Sequence, residues 1–214
     1  MEDETVEEVN GQTYGPLKAL CERAAEQAMP GRNLVVRPGL IIGPHDPSDR
    51  FTYWPHRVAR GGEVMAPDRP DLPIQLVDVR DLAAWLLRMI QARHTGVYNA
   101  TGPSQSLTMG ELLETCKQTT GSDAAFTWVP EEFLLEQQVR PWIDQPLWLP
   151  KESRGLFCTD CEKAWAAGLS FRPLGVTVRD TLAWAASRPP GTAWRAGISL
   201  DRERDLLRAW ANRG

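Results

Sequence analysis

Leu34-Val35-Val36-Arg37-Pro38-Gly39-Leu40-Ile41-Ile42-Gly43-Pro44 places two short apolar runs on either side of Arg37. Both are rich in β-branched residues and too short for a helix, which reads as a buried strand of a parallel sheet. Pro38 has no N–H to give to a ladder, so pairing is expected to break there. The break falls at the carboxyl end of the first run, where open α/β sheets bind their ligands.

Upstream lies Tyr14-Gly15-Pro16-Leu17-Lys18, opening the helical run Ala19 to Ala28. Residues four apart share one helix face, so the Tyr14 phenol and the Lys18 ammonium can reach one space. A nearby cation favours the phenolate, which makes such a tyrosine a usable proton donor or acceptor for a carbonyl–alcohol interconversion. The same spacing also arises in any lysine-bearing helix, as a half-exposed tyrosine beside a solvated lysine. Pro16 is tolerated only in a first helical turn, so Tyr14 is expected at the helix entrance.

Downstream, residues 50 to 60 read as a short helix closed by Gly61-Gly62, and Ile74 to Val77 as an alternating strand. Asp78 is an N-cap for an amphipathic helix over Val79–Ala92. Val97–Ala100 reads as a strand. Thr108 and Glu111 form a capping box for a helix to about Thr119. Ala125–Val129 is a strand, and Pro130 opens a helix to Val139. Three more helices are expected over Asp160–Ala167, Val176–Ser187 and Asp201–Ala211. Residues 140 to 155 form a long loop holding Trp142 and Trp148, the kind of segment that serves as a lid, an interface or a connector. Asn99, Asp78 and Asp81 read as structural caps and turn residues.

Composition bounds the function. The chain has 214 residues, 42% hydrophobic and 24% charged, an ordinary soluble mix. Net charge is -4 with no basic block, which argues against nucleic acid as a partner. No apolar run approaches a bilayer span, so no membrane partner is expected. The acidic Met1–Val9 segment is the opposite of a signal peptide, and the cytoplasm is the expected compartment. Of the four cysteines, only Cys158 and Cys161 are close in sequence, and no second ligand pair accompanies them, so no metal is expected.

Five segments in order resemble the extended short-chain dehydrogenase/reductase family, the NAD-dependent epimerase/dehydratase group. They are the Y-x-x-x-K of Tyr14 to Lys18, the strand-R-P-G of Leu34 to Pro44, and P-I-Q-L-V-D-V-R-D-L at Pro73 to Leu82. Gly96 to Leu112 and Phe157 to Trp184 complete the series. The resemblance implies an NAD(P)-dependent oxidoreductase or epimerase acting on a small carbonyl or alcohol, sugar-like substrates among them. It implies Tyr14 as catalytic acid/base and Lys18 as its assistant. Tyr14, Lys18, Pro38 and Gly39 would meet the cofactor, NAD or NADP. His45, Asp46, Arg50 and Trp54 fall where the family lines its substrate pocket.

The family's opening strand, its glycine-rich G-x-x-G-x-x-G turn and the acidic ribose-binding residue have no counterpart in the sequence. That turn brings pyrophosphate to backbone at a helix N-terminus. The expected fold is therefore α/β, a partial Rossmann-like fold lacking the N-terminal dinucleotide-binding strands, with a small α/β substrate-binding region. The expected organisation is an acidic lead-in (1–12), the half-fold (13–188) and a C-terminal helical arm (189–214). Such a chain would be a fragment of a longer enzyme, half of a two-chain assembly, or a dimeric module. The first is the expectation, with a missing N-terminal half or a homo-oligomer as partner and feeble cofactor binding by this chain alone. The alternative is a non-catalytic module presenting the Trp-rich loop 140–150 to a partner, since Trp is enriched at interfaces.

Overall fold

A computed structural model describes residues 8–213, so the first seven residues of the acidic lead-in lie outside the described part. Helix α1 (Tyr14–Ala28) leads into strand β1 (Leu34–Pro38) and strand β2 (Leu40–Ile42), separated by Gly39. Helix α2 (Tyr53–Ala59), strands β3 (Glu63–Pro67), β4 (Pro73–Ile74) and β5 (Leu76–Asp78), and helix α3 (Val79–Gln91) follow. Next come β6 (Gly96–Ala100), β7 (Leu107–Thr108), α4 (Met109–Thr120), β8 (Ala125–Val129) and α5 (Glu131–Glu136). A 3-10 turn over Lys151–Phe157 precedes α6 (Glu162–Ala166), α7 (Leu174–Ala186) and α8 (Leu200–Ala211).

The strands pair at long range. β1 runs parallel to β6, with Leu34 opposite Gly96 and Pro38 opposite Ala100. β2 runs parallel to β5, and β3 to β8, while the two-residue β4 and β7 pair antiparallel. The Leu34 stretch does form parallel strands broken at Pro38-Gly39, as its pattern predicts. The expected full burial fails for β1, where no residue is buried. Among the described residues β1 pairs only with β6, which leaves its other edge without strand partners. The expected single strand over Ile74–Val77 is two, divided at Gln75.

Two apolar clusters hold these elements. The larger gathers Phe51, Trp54 and Val58 around α2, Met65 of β3, Leu112 and Leu113 of α4, and Trp148. The smaller packs Leu82, Trp85 and Met89 of α3 against Tyr98 and Ala100 of β6 and Leu169. The segment expected as an arm, 189–214, ends in α8, whose Leu206 and Leu207 belong to the larger cluster. Glu203 of α8 is buried, accepting from Arg57 Nε at 2.6 Å and from Met65 N at 3.0 Å.

Local signals behave as expected where they are self-contained. Asp78 caps α3 by accepting from Arg80 N at 2.9 Å. Thr108 and Glu111 form both bonds of a capping box. The Trp-rich loop is tied to the core at one end. Trp148 is 1% exposed, and Trp54 Nε1 donates to Pro146 O at 2.8 Å, tying the loop to the core. Ile143 is the loop's exposed hydrophobe, and Trp142 is half-buried.

Candidate active site

The break between β1 and β2 opens into a cavity of about 330 Å³. Pro38 and Gly39 form one wall at the carboxyl end of β1. Asn99 and Thr101 come from the end of β6, its parallel partner. Gln75, Trp142, Leu156 and Phe157 close the remaining sides. The carboxyl ends of adjacent parallel strands are where an open α/β sheet leaves room for a ligand.

Each wall is held by identifiable bonds. A Cβ added at Gly39 would lie 2.4 Å from Thr101 Oγ1, so only glycine lets the two strand ends approach this closely. Gln75 spends both ends of its amide on Thr159, donating to its O at 2.9 Å and accepting from its N at 3.0 Å. Asn99 Nδ2 donates to Asp160 O at 3.0 Å. Trp142 takes a left-handed φ of 66° and carries Arg50 on its ring, the guanidinium carbon 5.2 Å from the ring centre. The Thr101 hydroxyl is buried and has no hydrogen-bond partner among the described residues.

Helix α1 lies beside this cavity. Arg37 lines the cavity, and its Nε donates to Glu22 Oε1 of α1 at 2.8 Å. The Arg37 hydrogen bond, helped by Lys18, holds the Glu22 carboxyl below the ordinary carboxylate range although partial burial opposes it. Tyr14, Lys18 and Glu22 are spaced by four, so they rise along one face, and that face meets the cavity rim at Glu22. Tyr14 is the first residue of α1, as Pro16 predicts, about 12 Å along the axis from Glu22 at 1.5 Å per residue. Both Tyr14 and Lys18 are exposed, and neither lines the cavity. The described residues therefore bring Pro38 and Gly39 to the cavity and leave the Tyr14–Lys18 pair open to solvent on the adjoining helix.

The expected substrate residues scatter. His45, with φ of 69°, lies in a separate shallow cleft with its ring 5.5 Å from Trp184. Asp46 borders that cleft too, but it is buried and occupied structurally. Its oxygens accept from Ser48 N at 2.9 Å, Ser48 Oγ at 2.7 Å and Phe51 N at 3.2 Å. Arg50 supports Trp142 from outside the cavity lining. The expectation for Trp54 is corrected: its side chain is wholly buried in the larger cluster and has no surface for a ligand. Sequence reasoning missed Gln75, Thr101, Trp142, Leu156 and Phe157 as lining residues. Trp142 alone carried a signal, the long aromatic loop, whereas the others reach the cavity through pairings remote in sequence.

The backbone at Pro38-Gly39 and the exposed Lys18 suit the nicotinamide end of a dinucleotide. No G-x-x-G-x-x-G turn exists in the sequence to receive the pyrophosphate.

The chain matches no protein-family model and no curated protein. Its fold does match solved structures. RMD from Pseudomonas aeruginosa, complexed with NADPH, is 16% identical with a TM-score of 0.56, over 86% of this chain and 62% of that one. UDP-glucuronic acid 4-epimerase from Bacillus cereus, in complex with NAD, is 12% identical with a TM-score of 0.56, over 86% and 55%. UDP-glucose 4-epimerase from Thermus thermophilus, complexed with NAD, is 17% identical with a TM-score of 0.52, over 88% and 60%. The chain thus spans 55% to 62% of the length of these structures. The α/β, Rossmann-like architecture expected from the sequence is the one found, as a partial fold.

Proposed function

We propose that this chain carries the acid/base and substrate side of an NAD(P)-dependent oxidoreductase or epimerase working on a carbonyl/alcohol pair. The observation that carries this reading is the cavity at Pro38-Gly39, at the carboxyl ends of β1 and β6, in a fold shared with NADPH- and NAD-bound structures. The helix bearing Tyr14 and Lys18 is anchored to the rim of that cavity through Glu22 and Arg37.

In this reading a bound nicotinamide supplies or accepts the hydride. The chain's own residues do the rest. Tyr14 Oη would give a proton to the substrate oxygen in reduction and take it back in oxidation, which requires the substrate to extend from the cavity rim along the Tyr14–Lys18–Glu22 face of α1. Lys18, one turn on, offers donors to ribose hydroxyls. Pro38 and Gly39 present backbone rather than side chain, which lets a flat ring approach. Trp142 and Phe157 exclude water from one side of the cavity.

Calorimetric titration with NADH and NADPH tests the reading. The expected result is weak binding, because no glycine-rich turn receives the pyrophosphate, weakened further in Lys18→Ala. Wherever turnover of a carbonyl substrate is measured, Tyr14→Phe should lower it about 10²- to 10⁴-fold, the usual worth of a positioned acid/base. Turnover that survives Tyr14→Phe, or cofactor binding indifferent to Lys18, would place the chemistry elsewhere.

A further inference from the structure

We infer that the cavity at Pro38-Gly39 takes an uncharged, largely apolar ketone or its alcohol, and not a nucleoside-diphosphate sugar. The inference rests on the acid/base reading above and narrows its substrate class.

Trp142, Leu156, Phe157, Leu40 and Pro38 contribute apolar surface. Among the described residues, the one cation lining the cavity, Arg37, is engaged by both oxygens of Glu22. Arg154, just before Leu156, is spent on Asp68 and Glu131, each at 2.6 Å. Arg50 lies across the Trp142 ring and outside the lining, and donates to Trp142 O at 3.3 Å. A diphosphate carries about two charges and is held by Arg or Lys side chains or by backbone N–H groups at a helix N-terminus, and the lining residues include no helix N-terminus. Here such a group would enter an apolar cavity without compensation.

The polar inventory fits a smaller demand. The Gln75 amide is fully used by Thr159, and Asn99 is tied to Asp160. What remains is the Thr159 hydroxyl, which donates to Leu156 O at 3.5 Å, while the unpartnered Thr101 hydroxyl is enclosed against the Gly39 wall. Apolar pockets with very few placed polar groups are the usual sites for small organic ligands. A polyhydroxylated sugar needs more donors and acceptors than these walls leave available.

Leu156 is 57% exposed at this cavity, so it can be changed without disturbing the core. The experiment uses the full chain with acetophenone, 1-phenylethanol and UDP-glucose as probes, read by saturation-transfer NMR and by tryptophan fluorescence. The expected result is binding of the ketone or alcohol with quenching that is lost in Trp142→Phe, and no binding of UDP-glucose. Leu156→Arg should weaken the ketone about tenfold, the worth of one leucine's apolar contact. UDP-glucose that binds and displaces the ketone would overturn the substrate class while leaving the acid/base reading standing. Absence of binding by any probe, or ketone binding indifferent to both variants, would overturn the cavity assignment. The NADH titration then decides the acid/base reading by itself.

Discussion

Single side chains in this molecule do structural work in places where the motif pattern suggests chemistry. Asp46 is the clearest case, since it gathers Ser48, Phe51 and Thr52 at the entrance of α2. Asp46→Ala should cost roughly 1.5–3 kcal/mol, the range for hydrogen bonds to a charged acceptor, measured by urea unfolding. Asp78 ties more distant parts together. Burial pushes its carboxyl up, but bonds from Arg80 and Thr177 and the charge of Arg172 overcome this and hold it below the ordinary range. Its stabilisation is therefore complete above the unfolded value of about 3.9 and is lost as pH falls through the lower folded value. Asp78→Asn should flatten the acid side of a plot of Tm against pH. An unchanged slope would mean that other carboxylates dominate acid unfolding.

At the scale of elements, α8 makes the most specific prediction. Leu206 is buried in the larger cluster, so Leu206→Ala should cost about 2–5 kcal/mol by chemical denaturation. A cost under 1 kcal/mol would show that α8 is a loosely attached arm. Sequence reading found the helices that announce themselves locally. Asp78 before α3 and the Thr108–Glu111 box before α4 are side-chain bonds within a few residues, and such signals survive without tertiary context. β3 escaped because its case is not local. Val64, Met65 and Ala66 sit between two glycines and a proline, and become a strand by pairing with β8 some sixty residues later. The end of α5 was misread for a similar reason. Gln138 turns left-handed at φ 56° and Val139 N reaches back to Leu134 O, closing the helix without a glycine to mark it. The same limit governed the cavity. Pro38-Gly39 was legible because proline and glycine act on the local backbone, while Thr101 and Phe157 arrive there through the fold.

Across the whole molecule, packing is uneven. α1 has no buried residue, while α4 buries Met109, Leu112, Leu113 and Cys116. Hydrogen exchange should therefore show α1 amides opening at a far lower free energy than those of α4, with the difference persisting at all pH values where the fold holds. Equal protection would mean that the half-buried and polar contacts of α1 hold it as firmly as core packing holds α4. The two sides of the β1–β6 ladder are also unequal. On the β6 side, Lys163 Nζ donates to Val97 O at 2.8 Å and its ammonium rests 4.2 Å from the Tyr98 ring centre. A charged side chain already holds a carbonyl that an added strand would need there. On its other side β1 has no strand partner among the described residues. Strand addition at this ladder is therefore hindered on the β6 side, where the Val97 carbonyl is already engaged.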